Sequence, residues 1–442
     1  MLSSQTEFLI SMFILLGCAL LAGELALRLG QLALVGQLLA GVVLGPTLLG
    51  PYIGLSSVSP QLSAVQLLAT FFLLFLAGLE LGPNQLFAMR RSTLALGLSI
   101  FFVPFSILFV VVHVVAPTLP VLASAFVGVT LSITALPVMA VMVTELGLVN
   151  RELGRALMGA ALVNELSAVT VFAVLLQVST SGGHLTFLSF ATALGATALF
   201  LAVVFAAYYL LRAVRHRQRW RMATGRFLNT VRSQEAGFAL LMVMSLGAAL
   251  LSQYLGLTFV IGAFYAGLLV SPDTVGRTVY DPVRRVLHVF MWGLFIPLFF
   301  AITGLQVNLR LLVVPSATAL FFTLLLVAIL SKIGVGSVVA KLQRWSSPDS
   351  VALGFLVNSR GAVEIAMAVI LLTDGILTTY WFTIVVGVGL ICSILAPIGA
   401  VAAWKATPES KADLLRRMPT QANRGVFLAP PDDTPGGSIP RP

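Results

Sequence analysis

The sequence predicts an all-α polytopic membrane protein of about thirteen spanning helices, and three observations carry that expectation. Of the 442 residues only 10% are charged while 59% are hydrophobic, whereas a soluble domain carries about a quarter charged residues. Apolar runs recur from residue 8 to residue 404, each long enough to cross a hydrocarbon core of roughly 30 Å. The basic residues, finally, fall almost entirely on one side of the chain's predicted path.

The spans follow in order at about 8–29, 31–50, 61–80, 92–116, 119–144, 152–178, 186–212, 235–253, 257–272, 286–305, 313–341, 350–372 and 377–404. Glu7 precedes the first of them, where a cleavable leader would carry positive charge, so it is read as a retained helix. With the N-terminus outside, thirteen crossings leave the C-terminus in the cytoplasm. All of the 26 basic residues except Arg310, Lys332 and Arg360 then lie on the cytoplasmic side, as the positive-inside rule requires. The net charge of +10 is thereby explained without nucleic acid: its richest stretch, Arg212 to Arg232, is a loop that anchors topology near anionic lipid. Residues 405–442 form a Pro-rich polar tail expected to be disordered. Cys18 and Cys392 both fall in apolar spans and make no disulfide framework. The histidines His113, His184, His216 and His288 show no metal-ligand spacing.

Six spans, one linker span and six more give two halves in opposite senses, a common plan in secondary transporters, which break one helix in each half near the midplane. The fifth span carries Ser132-Ile133-Thr134-Ala135-Leu136-Pro137, and its counterpart, the twelfth, carries Asn358-Ser359-Arg360-Gly361. Pro137 has no N–H to give the carbonyl four residues back, so the helix is expected to open near Ile133. Gly361 admits backbone conformations closed to other residues. Carbonyls freed in lipid are costly unless they line a cavity or meet a cation.

Four charges sit near the middle of spans: Glu165, Lys332, Arg360 and Glu364. A charge at the bilayer centre costs about 2.5–3.5 kcal/mol on insertion scales, so each needs a partner or a purpose. Glu165, preceded by Asn164, lies at the depth of Thr134 in the neighbouring broken span. An ionised carboxylate there offers two hard oxygens to Na⁺ or K⁺ beside the Thr134 hydroxyl, Ser132 and backbone carbonyls. Removing a carboxylate from water disfavours its charge, which lets protons compete for the same group. A buried Glu165–Lys332 ion pair without a transport role is the structural alternative. Arg360 and Glu364 lie four apart and can pair on one helix face, compensating charge at the crossover with Lys332 and Asn358. Glu80 and the Glu24–Arg28 pair read as interfacial or intrahelical partners.

These residues resemble the monovalent cation/proton antiporters of the second large class (CPA2), with NapA-like, Kef-like and plant CHX-like members. RLGQLALVGQLLAGVVLGPTLLG, FFLLFLAGLELGPNQL, ITALPVMAVMVTELGL and FIPLFFAITGLQVNL are similar to ordered motifs of that family, over about residues 8–404. SKIGVGS places Lys332 where many members have a buried lysine; ALVNELSAV and LVNSRGAVEIAMAV look closest to the CHX-like branch. The resemblance implies the Na⁺/H⁺ antiporter fold and a homodimeric elevator. A core bundle (about 92–178 and 313–404) would slide against a dimerisation domain (about 8–80 and 235–305), with 186–212 as linker. The family's ion-binding aspartate maps to Glu165, one methylene longer, which preserves the chemistry and leaves ion size preference open. Asn164 stands where electrogenic members have a second acid, which implies electroneutral exchange. Gln37 replaces a frequent Glu, and no nucleotide-binding domain is expected after the last span.

The expected function is therefore exchange of Na⁺ or K⁺ for H⁺ across a bacterial-type plasma membrane, without cofactor, transition metal or nucleic acid. Transport of an organic or complexed ion on the same fold, and a non-transporting ion sensor, are the alternatives. An enzyme is disfavoured by the lack of paired aspartates, HExxH or a Ser/His constellation.

Overall fold

In lipid a backbone N–H or C=O finds no water, so a spanning segment must satisfy its hydrogen bonds internally, and a chain this apolar is driven to helix. In the computed structural model, which describes residues 4–29, 31–53, 58–80, 89–146, 148, 151–180, 187–216, 236–254, 259–272 and 274–405, every regular element among the described residues is helical. Most of the arginine-rich loop and the tail from 406 onward, on which the sequence carried expectations, lie outside the described residues, as does His184.

The helices are α1 (Ser4–Arg28), α2 (Ala33–Leu44), α3 (Pro60–Glu80), α4 (Arg91–Val115), α5 (Val121–Thr130), α6 (Leu136–Glu145), α7 (Glu152–Thr180) and α8 (Phe187–His216). They continue with α9 (Ala236–Tyr254), α10 (Phe259–Leu269), α11 (Arg277–Phe290), α12 (Ile296–Gln306), α13 (Pro315–Leu342), α14 (Ser347–Leu356), α15 (Ala362–Thr373) and α16 (Thr379–Lys405). A helix stands in each of the thirteen predicted spans, and two spans, the fifth and the twelfth, are each split into a pair (α5/α6 and α14/α15). Among the described residues seven helical stretches are long and apolar enough to cross a membrane unaided. The others are short or interrupted.

Local chemistry sets several ends. Ser346 caps α14: its hydroxyl accepts from the Asp349 N–H at 3.2 Å and donates to the Asp349 carboxylate at 2.7 Å, satisfying donors that a helix start leaves orphaned. Pro315 opens α13, where a missing N–H costs nothing. The tenth span departs from expectation. Its helix begins at Arg277 instead of 286 and runs through a π-helical turn, Met291–Phe295, into α12. The segment RTVYDPVRRVLHVF is amphipathic rather than apolar, so a search for apolar runs cuts it off.

Two groups of helices pack mainly among themselves: α1–α3 with α9–α12, and α4–α7 with α13–α16, while α8 contacts both α7 and α10. Inside the first group backbones meet at glycine. A Cβ on Gly41 would stand 2.0 Å from the Ala301 carbonyl, and one on Gly304 2.3 Å from that of Leu38. Small residues let membrane helices approach this closely, and close packing replaces the hydrophobic drive that lipid removes.

Candidate functional site

The site grows out of the break between α5 and α6. Residues 131–135 are not helical, and Pro137 is the second residue of α6, so the chain opens one turn before proline, where the Ile133 carbonyl has lost its donor. Arg360 supplies a substitute: its Nη1 donates to Ile133 O at 3.2 Å and to Thr130 O at 3.4 Å. The second break, residues 357–361 between α14 and α15, crosses the first. Ala135 N donates to Ser359 O at 3.3 Å, and the Thr134 hydroxyl donates to Val357 O at 2.7 Å. Each broken span thus satisfies backbone groups of the other, which makes irregular chain tolerable at membrane depth.

Gly361 sits at the crossing, and its reason differs from the expected one. Its φ of −165° is ordinary extended backbone. What requires glycine is space: a Cβ would lie 2.6 Å from the Ala135 Cβ and 2.9 Å from Val138 Cγ2.

Helix α7 brings Asn164 and Glu165 to the break, both wholly buried. Asn164 uses both ends of its amide, accepting from Thr134 N at 2.7 Å and donating to Ser132 O at 3.2 Å. Only a side chain with a donor and an acceptor can do this, so Asn164 clamps the open turn. One oxygen of Glu165, Oε2, accepts from Leu136 N at 2.9 Å, at the start of α6, where the helix dipole favours a negative charge. The other, Oε1, has no hydrogen-bond partner among the described residues. A buried carboxylate with one oxygen anchored and one open, next to backbone freed from helix, is suited to take either a proton or a hard cation.

Ser132 and Thr134 are present but engaged. The Ser132 hydroxyl donates back to Gly128 O at 2.7 Å, leaving its carbonyl to Asn164. The Thr134 hydroxyl accepts from Lys332 Nζ at 2.6 Å. Lys332 is fully buried and makes no ion pair with Glu165; ion pairs among the described residues include Glu24–Arg28, Arg90–Glu152 and Arg360–Glu364. In the last, Arg360 Nη1 stands 3.8 Å from Glu364 Oε1, with both side chains 1% exposed. Among the described residues neither Glu364 oxygen accepts a hydrogen bond. Asn358 is buried in the second break.

Cavities lie on either side of this centre. One, of about 1160 Å³, is lined by Gln66, Thr70, Gln253, Gln306 and Asp374 between α3, α9 and α15. At its floor Gln306 Nε2 donates to Gln66 Oε1 at 2.8 Å, and Gln66 Nε2 donates to the Thr303 hydroxyl at 3.2 Å. The other, of about 40 Å³, lies between Leu73, Glu80, Trp292, Val138 and Ala362. Glu80 therefore lines a crevice beside the crossing and lies within electrostatic range of Glu165, a placement that its position at a span end did not suggest. A carboxylate closing an apolar helix, the first acid in the chain after Glu24, was the available signal.

Comparison with known proteins points the same way. Residues 11–406 match the family model described as sodium/hydrogen exchanger, transmembrane. The Na⁺/H⁺-K⁺ antiporter GerN of Bacillus cereus is 26% identical over 396 residues, covering 89% of this chain and 95% of that protein. Cation/H⁺ antiporter 15 of Arabidopsis thaliana is 27% identical over 381 residues, 83% of this chain and 44% of the plant protein. Among solved structures, the sodium proton antiporter MjNhaP1 of Methanocaldococcus jannaschii superposes with a TM-score of 0.62 at 16% identity, covering 92% of this chain and 99% of that one. The fold is that of MjNhaP1.

Proposed function

The chain belongs to the transmembrane sodium/hydrogen exchanger family, and from that premise we propose that this integral, multi-pass membrane protein exchanges a monovalent cation, Na⁺ or K⁺, for a proton. The observation that carries the reading is the Glu165 carboxylate, wholly buried, anchored through Oε2 to the α6 N-terminus and open at Oε1.

In this account the ionised carboxylate binds the cation through Oε1, with backbone oxygens of the crossing and water completing the shell. The same oxygen, once protonated, no longer attracts the cation. One group that holds either ligand but not both couples their movements one for one. The exchange is electroneutral, because Asn164 is spent on the backbone and adds no second titrating charge. Lys332, Arg360 and Glu364 hold the crossing in shape: Lys332 through Thr134, Arg360 through the Ile133 carbonyl and Glu364.

Burial of Glu165 closes it to both sides at once, so the cycle needs a movement that opens one side at a time. The packing of α4–α7 with α13–α16, apart from α1–α3 and α9–α12, supports an elevator in which α4–α7 and α13–α16 carry the site past the other group. Helices α1–α3 and α9–α12 would form the contact with another copy in a homodimer. The distribution of Lys and Arg supports a cytoplasmic C-terminus in a bacterial-type plasma membrane.

The test is dye dequenching in proteoliposomes with a preset pH gradient, adding Na⁺, K⁺, Li⁺ and Rb⁺ in turn to wild type and Glu165→Gln. Collapse of the gradient by a particular cation in wild type alone supports the reading and names the ion. Equal activity of the mutant, or no collapse between pH 6 and 9 with any of them, refutes it.

A further inference from the structure

Helix α7 carries the Glu165 site on one face and a pair of hydroxyls on another. Ser167 and Thr170 follow Glu165 by two and five residues, which places them about 200° and 140° around the helix from it. They lie one turn apart and are used alike: each hydroxyl donates to the carbonyl four residues back, Val163 O and Leu166 O, at 2.7 Å. With its single proton spent there, each oxygen keeps an acceptor site. The Tyr265 hydroxyl of α10 lies 2.9 Å from Thr170 Oγ1, and since the threonine proton is committed, Tyr265 is the donor.

Tyr265 belongs to the other group of helices and is held firmly there. It is 1% exposed, with its ring set edge-on to Phe200 of α8 and to Phe264 at centroid distances of 5.9 and 5.3 Å. A Cβ on Gly267 would collide with the Phe75 carbonyl, and one on Gly78 with the Phe264 carbonyl, so α10 and α3 meet backbone to backbone on either side of Tyr265. The donor is thus fixed in the α1–α3/α9–α12 group, while its acceptor rides on the bundle that carries Glu165. A phenol buried this deeply is costly to leave without an acceptor. A helix sliding past it is therefore favoured to stop where the next acceptor arrives, and on α7 that acceptor is Ser167.

We propose that Tyr265 is a positioning residue for exchange, a latch with two stops: its hydroxyl pairs with Thr170 in the register of this structure and with Ser167 after the Glu165 bundle has moved three residues, about 4.5 Å, along α7. The inference rests on the two-group movement proposed above and names the residues that set its end points. Packed interfaces hold discrete arrangements rather than a continuum of them, and a donor facing two equivalent acceptors one turn apart supplies two such arrangements.

The full chain, carrying spin labels on genetically encoded ketone side chains at the exposed positions Tyr254 and Leu342, is reconstituted in nanodiscs with an excess of unlabelled chain. Tyr254 closes α9 and Leu342 closes α13, at opposite membrane faces on the predicted path, so sliding of one group past the other changes the distance read by pulsed electron resonance. Wild type shows two distances. Thr170→Val moves their ratio about fivefold away from the distance of this register, and Ser167→Ala moves it about fivefold toward that distance, the worth of one hydrogen bond. In a Tyr265→Phe background, which keeps the ring and its packing, neither substitution moves the ratio, as a double-mutant cycle requires of a direct pair. A packing role would not give opposite signs that both vanish with one hydroxyl. The latch is overturned, with the movement left standing, by two distances whose ratio ignores Thr170→Val and Ser167→Ala, shifts the same way in both, or shifts equally in the Tyr265→Phe background. A single distance in every protein overturns the latch and the two-group movement together.

Discussion

Replacing Arg360 by Met keeps an unbranched side chain at the crossing while removing its charge and its donors. Two groups lose their partner. Among the described residues Glu364 accepts no hydrogen bond and has Arg360, 3.8 Å away, as its ion-pair partner; stripping a buried carboxylate of such a partner costs about 3–5 kcal/mol. The Ile133 carbonyl, freed by Pro137 and held by Arg360 at 3.2 Å, is left unsatisfied at about 1–3 kcal/mol. The double variant Arg360→Met/Glu364→Gln removes both charges together, so only the carbonyl part remains. The assay is the thermal unfolding midpoint in nanodiscs for wild type, both single variants and the double, taken as a cycle that isolates the pair. The order expected at pH 8 is wild type, then the double variant, then Arg360→Met. The penalty belongs to the ionised carboxylate, so the deficit of Arg360→Met shrinks as pH falls and Glu364 takes up a proton. A double variant no more stable than Arg360→Met at pH 8, or a deficit that does not change with pH, refutes the pairing.

Gly361→Ala forces a methyl group to within 2.6 Å of Ala135 and is expected to cost about 1–3 kcal/mol by overpacking, with exchange slowed. Gly334→Ala, where nothing lies within 4 Å of the new carbon, serves as the neutral control in the same thermal assay. Asn164→Asp keeps the acceptor for Thr134 N but loses the donor to Ser132 O, and it places a second acid beside Lys332 and Thr134. It is expected to lower stability by about 1–3 kcal/mol and to make exchange sensitive to membrane potential, read by imposing a K⁺/valinomycin potential on proteoliposomes. Wild type is expected to be indifferent to that potential.

The positions of the site residues were legible because lipid makes charge and proline conspicuous. Glu165, Lys332, Arg360 and Glu364 stood out within apolar runs, and Pro137 located an opening that spans residues 131–135. Their partners were not legible, since they are set by long-range packing. Nothing in the sequence joins Arg360 to a carbonyl 227 residues earlier, or assigns Asn164 to both ends of a broken turn. Gly361 was found for a backbone reason and is required for a steric one, a distinction that only the crossing angle of two chains decides. Helix α11 escaped because its amphipathic face breaks the apolar pattern on which spans are recognised, and with it the surroundings of Glu80 were hidden.

Competition of cation and proton for one carboxylate is the centre of the account, and proton release on cation binding tests it most directly. Purified protein in weakly buffered solution near neutral pH, with an indicator dye, is titrated with the transported cation. The account predicts one proton released per protein molecule at saturation, and none from Glu165→Gln. Saturable cation binding without proton release, or equal release from the variant, would contradict it.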